Sequence, residues 1–169
     1  MTIRTYAALT ALFADNITGD ISPQDLRDFL DSQRVYGSIV FEGNAVTQTL
    51  VLNTPEKLTE WTGDGISNGV TPAFASDEIT IDNAGIYQVN FQASFQGLST
   101  KIQEFVLRKD AVATAVGCRR YTSATDVGSC SFSCQISLAA AEVLSIWVES
   151  TGSGDITVEE AQFTVYRIA

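Results

Sequence analysis

The sequence predicts an all-β protein, an antiparallel sandwich or jelly roll, preceded by a short helical N-terminal arm. Three observations predict it. From Tyr36 onward apolar and polar residues alternate with a period of two. The alternating runs are separated by Gly, Asn and Pro signals, with no helical period between them. The clearest helix signal, over 22 to 33, stands ahead of them all.

In the arm, Ser22 is placed as an N-cap, Pro23 takes the first helical position, and Asp25 at the third completes a capping-box-like pattern. Ile21 before the cap and Leu26 at the fourth position are spaced for a hydrophobic staple. Leu26, Phe29 and Leu30 make a narrow apolar stripe, while Asp25, Asp28 and Asp31 face elsewhere. Upstream, "YAALTALF" is a candidate second short helix, with Gly19 in the break. Helices shorter than about 12 residues are marginal without tertiary contacts. The stripe therefore rests either on its own β-domain or on another protein, and docking on another protein is the reading taken. The expected division is an anchoring arm over 1–35 and a jelly-roll domain over 36–169.

The early strands are "YGSIVFEG", "AVTQTLVLN" and "SDEITI", with "EWTGDGISNGVTP" read as a loop. Then come "GIYQVNFQASFQ", "KIQEFVLRKD", "AVATAVGCRRYT", "GSCSFSCQISL", "EVLSIWVES" and "ITVEEAQFTVYRI". Roughly eight to ten strands with short polar turns indicate the antiparallel architecture. No internal repeat suggests a solenoid or shaft.

Three strands, near 86–96, 129–138 and 161–168, have an unusual polar side. Their apolar rows (Cys130, Phe132, Cys134, Ile136, Leu138; Tyr87, Val89, Phe91, Ala93, Phe95; Phe163, Val165) form the core. Their other rows hold Gln88, Asn90 and Gln92; Ser131, Ser133 and Gln135; Gln162, Thr164 and Tyr166, with no ionic side chain. Charges stand instead at Lys101, Glu104, Arg108, Lys109, Arg119, Arg120, Glu142 and Glu149. An open sheet face usually recruits Lys and Glu. A covered face favours small neutral polar groups, because an ion costs far more to desolvate. The three strands are therefore expected in one sheet whose outer face meets a partner.

Composition narrows the function. The chain has 169 residues, is 45% hydrophobic against 18% charged, and fits one folded domain plus an appendage. A net charge of −10 disfavours nucleic-acid binding. No apolar run approaches the ~20 residues of a membrane span, and no secretory signal is read at the start. There is no histidine, which removes the commonest general base and zinc ligand. Of three cysteines at least one is unpaired. Cys130 and Cys134 share a strand face about 13 Å apart, too far to bridge. Cys118 can reach one of them only across the core, and three buried thiols, as in a reducing cytoplasm, are expected. The Asn16-Ile17-Thr18 acceptor triplet is read as chance for the same reason.

The segments "AGIYQVNFQASF", "FVLRKDA", "LAAAEVLSIWVES" and "FTVYRI" together resemble the jelly roll of tumour necrosis factor and the complement globular head. Ala141-Glu142 stands where that family usually has Gly-Asp. The resemblance covers roughly 36–169 and implies a homotrimer packed through one sheet, the sheet of the neutral rows. The arm "LFADNITGDISPQDLRDFLDS" resembles short attachment segments of tailed-bacteriophage structural proteins.

Together these imply a non-enzymatic virion protein, assembled in a bacterial cytoplasm and displayed on the particle's outer surface. The leading expectation is a homotrimeric capsid decoration (cement) protein, with Ile21, Leu26, Phe29 and Leu30 as its anchor on the major capsid protein. The nine neutral residues form its trimer interface, and no cofactor, metal, membrane or nucleic acid is expected. The alternative is a tail-fibre or spike tip that binds a host receptor or glycan near Trp61 or Tyr121. A carboxylate-based glycan hydrolase is a third class, but Glu159 and Glu160 adjoin and point to opposite faces. Asp64, between glycines, reads as a turn and not a calcium loop. "GSGD" at 152–155 reads as a turn, with no helix after it to hold a phosphate.

Overall fold

The computed structural model describes residues 22–43, 46–59, 61–123 and 126–169. Among them, one helix, α1 (Pro23–Ser32), precedes the strands β1 (Tyr36–Phe41), β2 (Val46–Leu50), β3 (Glu56–Lys57), β4 (Gly63–Asp64), β5 (Val70–Ala73) and β6 (Glu78–Ile81). The long strands follow: β7 (Gly85–Gln96), β8 (Lys101–Lys109), β9 (Val112–Thr122), β10 (Val127–Leu138), β11 (Val143–Ser150) and β12 (Gly154–Arg167). The staple residue Ile21 and the "YAALTALF" segment lie outside the described residues.

The helix begins as its sequence dictates. Ser22 Oγ accepts the Asp25 N–H at 3.2 Å, and Asp25 Oδ2 accepts the Ser22 N–H at 3.0 Å. This reciprocal capping satisfies two amides that have no partner inside the helix.

The strands form two antiparallel sheets. The first has the order β10-β7-β12-β1-β4, with β2 on β12 beyond the end of β1. The second has the order β5-β6-β11-β8-β9, with β3 on β11. Period-two alternation turns one row of each strand inward. Ile39, Phe41, Tyr87, Val89, Phe91, Phe95, Phe163 and Val165 of the first sheet meet Ile79, Ile81, Phe105, Leu107, Leu144, Ile146 and Val148 of the second. The Phe105 ring lies 5.4 Å from Phe91 and 4.9 Å from Phe95, centroid to centroid. Burying one such side chain contributes about 1.5–3 kcal/mol.

Two expectations are corrected. The segment expected as a loop over 60–72 contains β4, paired with β1, and β5, paired with β6. Strands this short, set among glycines, show no alternation to read. Trp61, just before β4, is buried 6.4 Å from the Phe163 ring. The expected three thiols are also wrong: Cys118 of β9 and Cys130 of β10 form a disulfide, Cα atoms 5.9 Å apart, leaving Cys134 free and half-buried. The reason is topological. β9 ends one sheet and β10 ends the other, so consecutive strands face each other across the open side of the sandwich. Closing so short a loop contributes about 3 kcal/mol.

The two ends of the sandwich differ. At one end lie α1, Ala169 (whose carbonyl accepts the Ile86 N–H at 2.7 Å) and the turn 139–142. Ala141 there holds φ 70°, the left-handed region where the resembled family places glycine. Loops 97–100 and 151–153 lie at the other end.

Candidate functional site: a neutral sheet face beside an exposed helical stripe

The strands β10, β7 and β12 are neighbours in the first sheet, and their register sets the neutral residues in rows. Ser131 faces Gln92, and Gln92 faces Gln162. Ser133, Asn90 and Thr164 make the next row, and Gln135, Gln88 and Tyr166 the third. Side-chain hydrogen bonds knit the rows together. Gln88 Nε2 donates to Ser133 Oγ at 2.5 Å, Ser133 Oγ to Asn90 Oδ1 at 2.8 Å, Asn90 Nδ2 to Thr164 Oγ1 at 3.4 Å, and Gln92 Nε2 to Gln162 Oε1 at 3.4 Å. Gln88, Asn90 and Thr164 are half-buried; Gln92, Ser131, Ser133, Gln135, Gln162 and Tyr166 are exposed.

The field extends further than the three polar rows of the sequence showed. Tyr36 and Ser38 of β1 pair with Tyr166 and Thr164, continuing two rows across a fourth strand. The alternation Tyr36, Ser38, Val40 was the available signal. Ser38 is covered by Gly65, where a Cβ would collide with the Ser38 hydroxyl. Toward α1 the field ends on exposed Ile86 and Ile168. At the opposite border it ends in the row Ser129, Ser94 and Glu160. A bulge between Val158 and Glu160 shifts the register there. An open groove of about 690 Å³ follows this border, lined by Val40, Glu42, Gln92, Ser131, Glu160 and Gln162.

The second sheet is ionic. Lys101, Glu104, Arg108 and Lys109 lie on β8, Arg119 and Arg120 on β9, Glu149 on β11, and Glu142 in the turn before it. Glu104 pairs with Arg119 at 2.8 Å and Lys109 with Glu142 at 2.8 Å, and the Arg108 guanidinium stacks 4.1 Å over the Trp147 ring. The Lys109 ammonium, helped by the Ala139 N–H, holds the Glu142 carboxyl below its usual range.

The arm is attached by its polar side. Asp28 and Ser32 are buried, the Arg167 guanidinium donates to the Ser32 carbonyl at 2.7 Å, and the Asn68 amide donates to the Arg34 carbonyl at 2.5 Å. The stripe faces out: Leu26 is 51%, Phe29 36% and Leu30 58% exposed.

The weaker candidates resolve as structure. Asp64 Oδ1 accepts the Phe74 N–H at 2.8 Å. Glu159 and Glu160 sit at the bulge. Burial pushes the Tyr87 phenol up to about 12, and its hydroxyl donates to the Asn83 carbonyl at 2.5 Å, tying down the turn before β7. Among the described residues, no three His, Cys, Asp or Glu side chains gather to hold a metal.

No protein-family model matches this sequence, and no curated protein matches it. Solved structures do match. An Eiger TNF from S. frugiperda superposes with a TM-score of 0.58 at 15% identity, covering 80% of this chain and 94% of that one. Murine APRIL gives 0.57 at 10% identity, covering 80% and 99%. The globular domain of zebrafish complement 1qA gives 0.50 at 16% identity, covering 80% and 98%. At such identities the likeness concerns the fold alone. The chain has the jelly-roll fold of the tumour necrosis factor and complement globular-head domains.

Proposed function

We propose that the chain is a non-enzymatic virion structural protein, a homotrimeric decoration protein that grips the major capsid protein through α1. The observation that carries this reading is the outward apolar stripe of α1, set beside a sheet face without ions in a protein of net charge −10. The neutral face suits burial against sister copies, since amides and hydroxyls already bonded to one another desolvate at modest cost. The stripe is a helix-in-groove ligand, with anchors at i, i+3 and i+4. Three arms on one trimer multiply affinity when they engage together. Binding only the assembled shell stabilises that shell by RT ln(1 + [L]/Kd) per site.

The test is co-sedimentation with particles produced from the same genome. The full chain is expected to bind as a trimer. Deleting residues 1–33, or making Leu26→Asp with Leu30→Asp, abolishes binding and leaves the trimer intact. Retained particle binding by either variant overturns the anchor. A fibre-tip reading has one observation in its favour: Leu52 and Tyr121 are 50% and 59% exposed at the end away from α1. Host-surface binding that Tyr121→Ala abolishes would favour it.

A further inference from the structure

We infer that the Cys118–Cys130 disulfide is a reversible clasp on the open side of the sandwich, and that opening it loosens β10 and weakens the neutral face. Among the described residues, β10 is the end strand of its sheet and pairs only with β7; β9 is the end strand of the other and pairs only with β8. The inward row of β10 is buried at its ends, Cys130 and Leu138, and less so between them. Phe132, Cys134 and Ile136 are only partly buried, whereas Tyr87, Val89 and Phe91 of the adjacent β7 are essentially inaccessible. The disulfide is therefore a covalent link between two edge strands whose facing side chains are only partly buried. Its position matters to the outer face: Cys130 turns inward while Ser129 and Ser131, its chain neighbours, turn out to the groove. A strand that shifts at Cys130 carries the outward serines with it, because one backbone bears both rows.

The chemistry balances as a two-electron exchange. A dithiol reductant breaks the S–S bond, becomes a cyclic disulfide, and leaves thiols on Cys118 and Cys130 that take its two protons. Closure is the reverse, with a small-molecule disulfide as oxidant and its two thiols as products. Cys134 is a poor competitor. It lies about 13 Å along the strand from Cys130, and burial raises its thiol pKa, which lowers its thiolate fraction.

The effect on association rests on the trimer proposed above, so the experiment reads the clasp separately. Full-length protein is compared oxidised and after dithiothreitol by thiol titration, peptide-resolved hydrogen exchange and sedimentation. One titratable thiol is expected before reduction and three after. Peptides over 127–138 should exchange about tenfold faster when reduced, with β11 and β12 unchanged. The trimer dissociation constant should rise about tenfold or more. Cys118→Ser should reproduce the reduced state and Cys134→Ser the oxidised one; if Cys118→Ser does not fold, reduction of the wild type decides. Three thiols before reduction, or unchanged β10 exchange on opening, overturns the clasp. Accelerated exchange in a protein that is monomeric throughout upholds the clasp and removes the trimer.

Discussion

The outer faces of the two sheets share one strand geometry and carry opposite chemistry. On β10, β7 and β12 the side chains are amides, hydroxyls and a phenol that bond to one another across strands. On β8, β9 and β11 ions stand among them, paired or stacked: Glu104 with Arg119, Arg108 on Trp147. Sheet structure imposes neither choice. With 20 acidic and 10 basic residues to place, the chain keeps them off the centre of one face and admits Glu160 only at its border. Ions stay where water solvates them, and neutral groups occupy the surface that can be covered without a desolvation penalty of several kcal/mol per ion.

The largest break in this contrast comes from placing an ion in the neutral rows. Ser131→Arg should weaken self-association by about 3–5 kcal/mol and turn the proposed trimer to monomer in sedimentation, while Lys101→Glu on β8 leaves it trimeric. A Ser131→Arg protein that still sediments as a trimer removes the covered-face argument. Conversely, Arg108→Ala on the ionic side should cost about 0.5–1 kcal/mol of folding stability through the lost Trp147 stack, with unchanged association. Smaller again is the acid response of Glu142. Its pKa is depressed in the fold, so its contribution is present above the unfolded carboxyl's pKa and fades as pH falls through the folded value. Denaturation of Glu142→Gln between pH 6 and pH 3 should lack that loss, and an identical acid profile would remove the ion pair's role. Least of all, salt should hardly weaken the proposed trimer: about a twofold rise at most in its dissociation constant between 0.05 and 0.5 M, if the neutral rows are its contacts. A steep salt dependence would place ions in the interface.

The long strands were legible because alternation and turn residues agree along them, and the bounds of "GIYQVNFQASFQ" coincide with β7. That three of them adjoin was legible only indirectly, through the shared absence of ions. Other features were not. Alternation says which residues share a face but not which strands oppose across the core, so the Cys118–Cys130 pair could not be chosen over separate thiols. The helical period likewise grouped Leu26, Phe29 and Leu30 without saying that Asp28 and Ser32 would turn inward. That orientation is made by Arg167, 135 positions downstream of Ser32, a contact no local pattern encodes. The strands β4 and β5 are held by neighbours β1 and β6, and their own sequences are too short to announce them.

Because α1 and Ala169 emerge at one pole of the sandwich and loops 97–100 and 151–153 at the other, the molecule is vectorial. A foreign peptide spliced between Thr151 and Ser153 would project away from the pole that carries the apolar stripe, whereas a fusion after Ala169 would crowd that pole. The scaffold thus keeps an insertion at one pole clear of the exposed helix at the other.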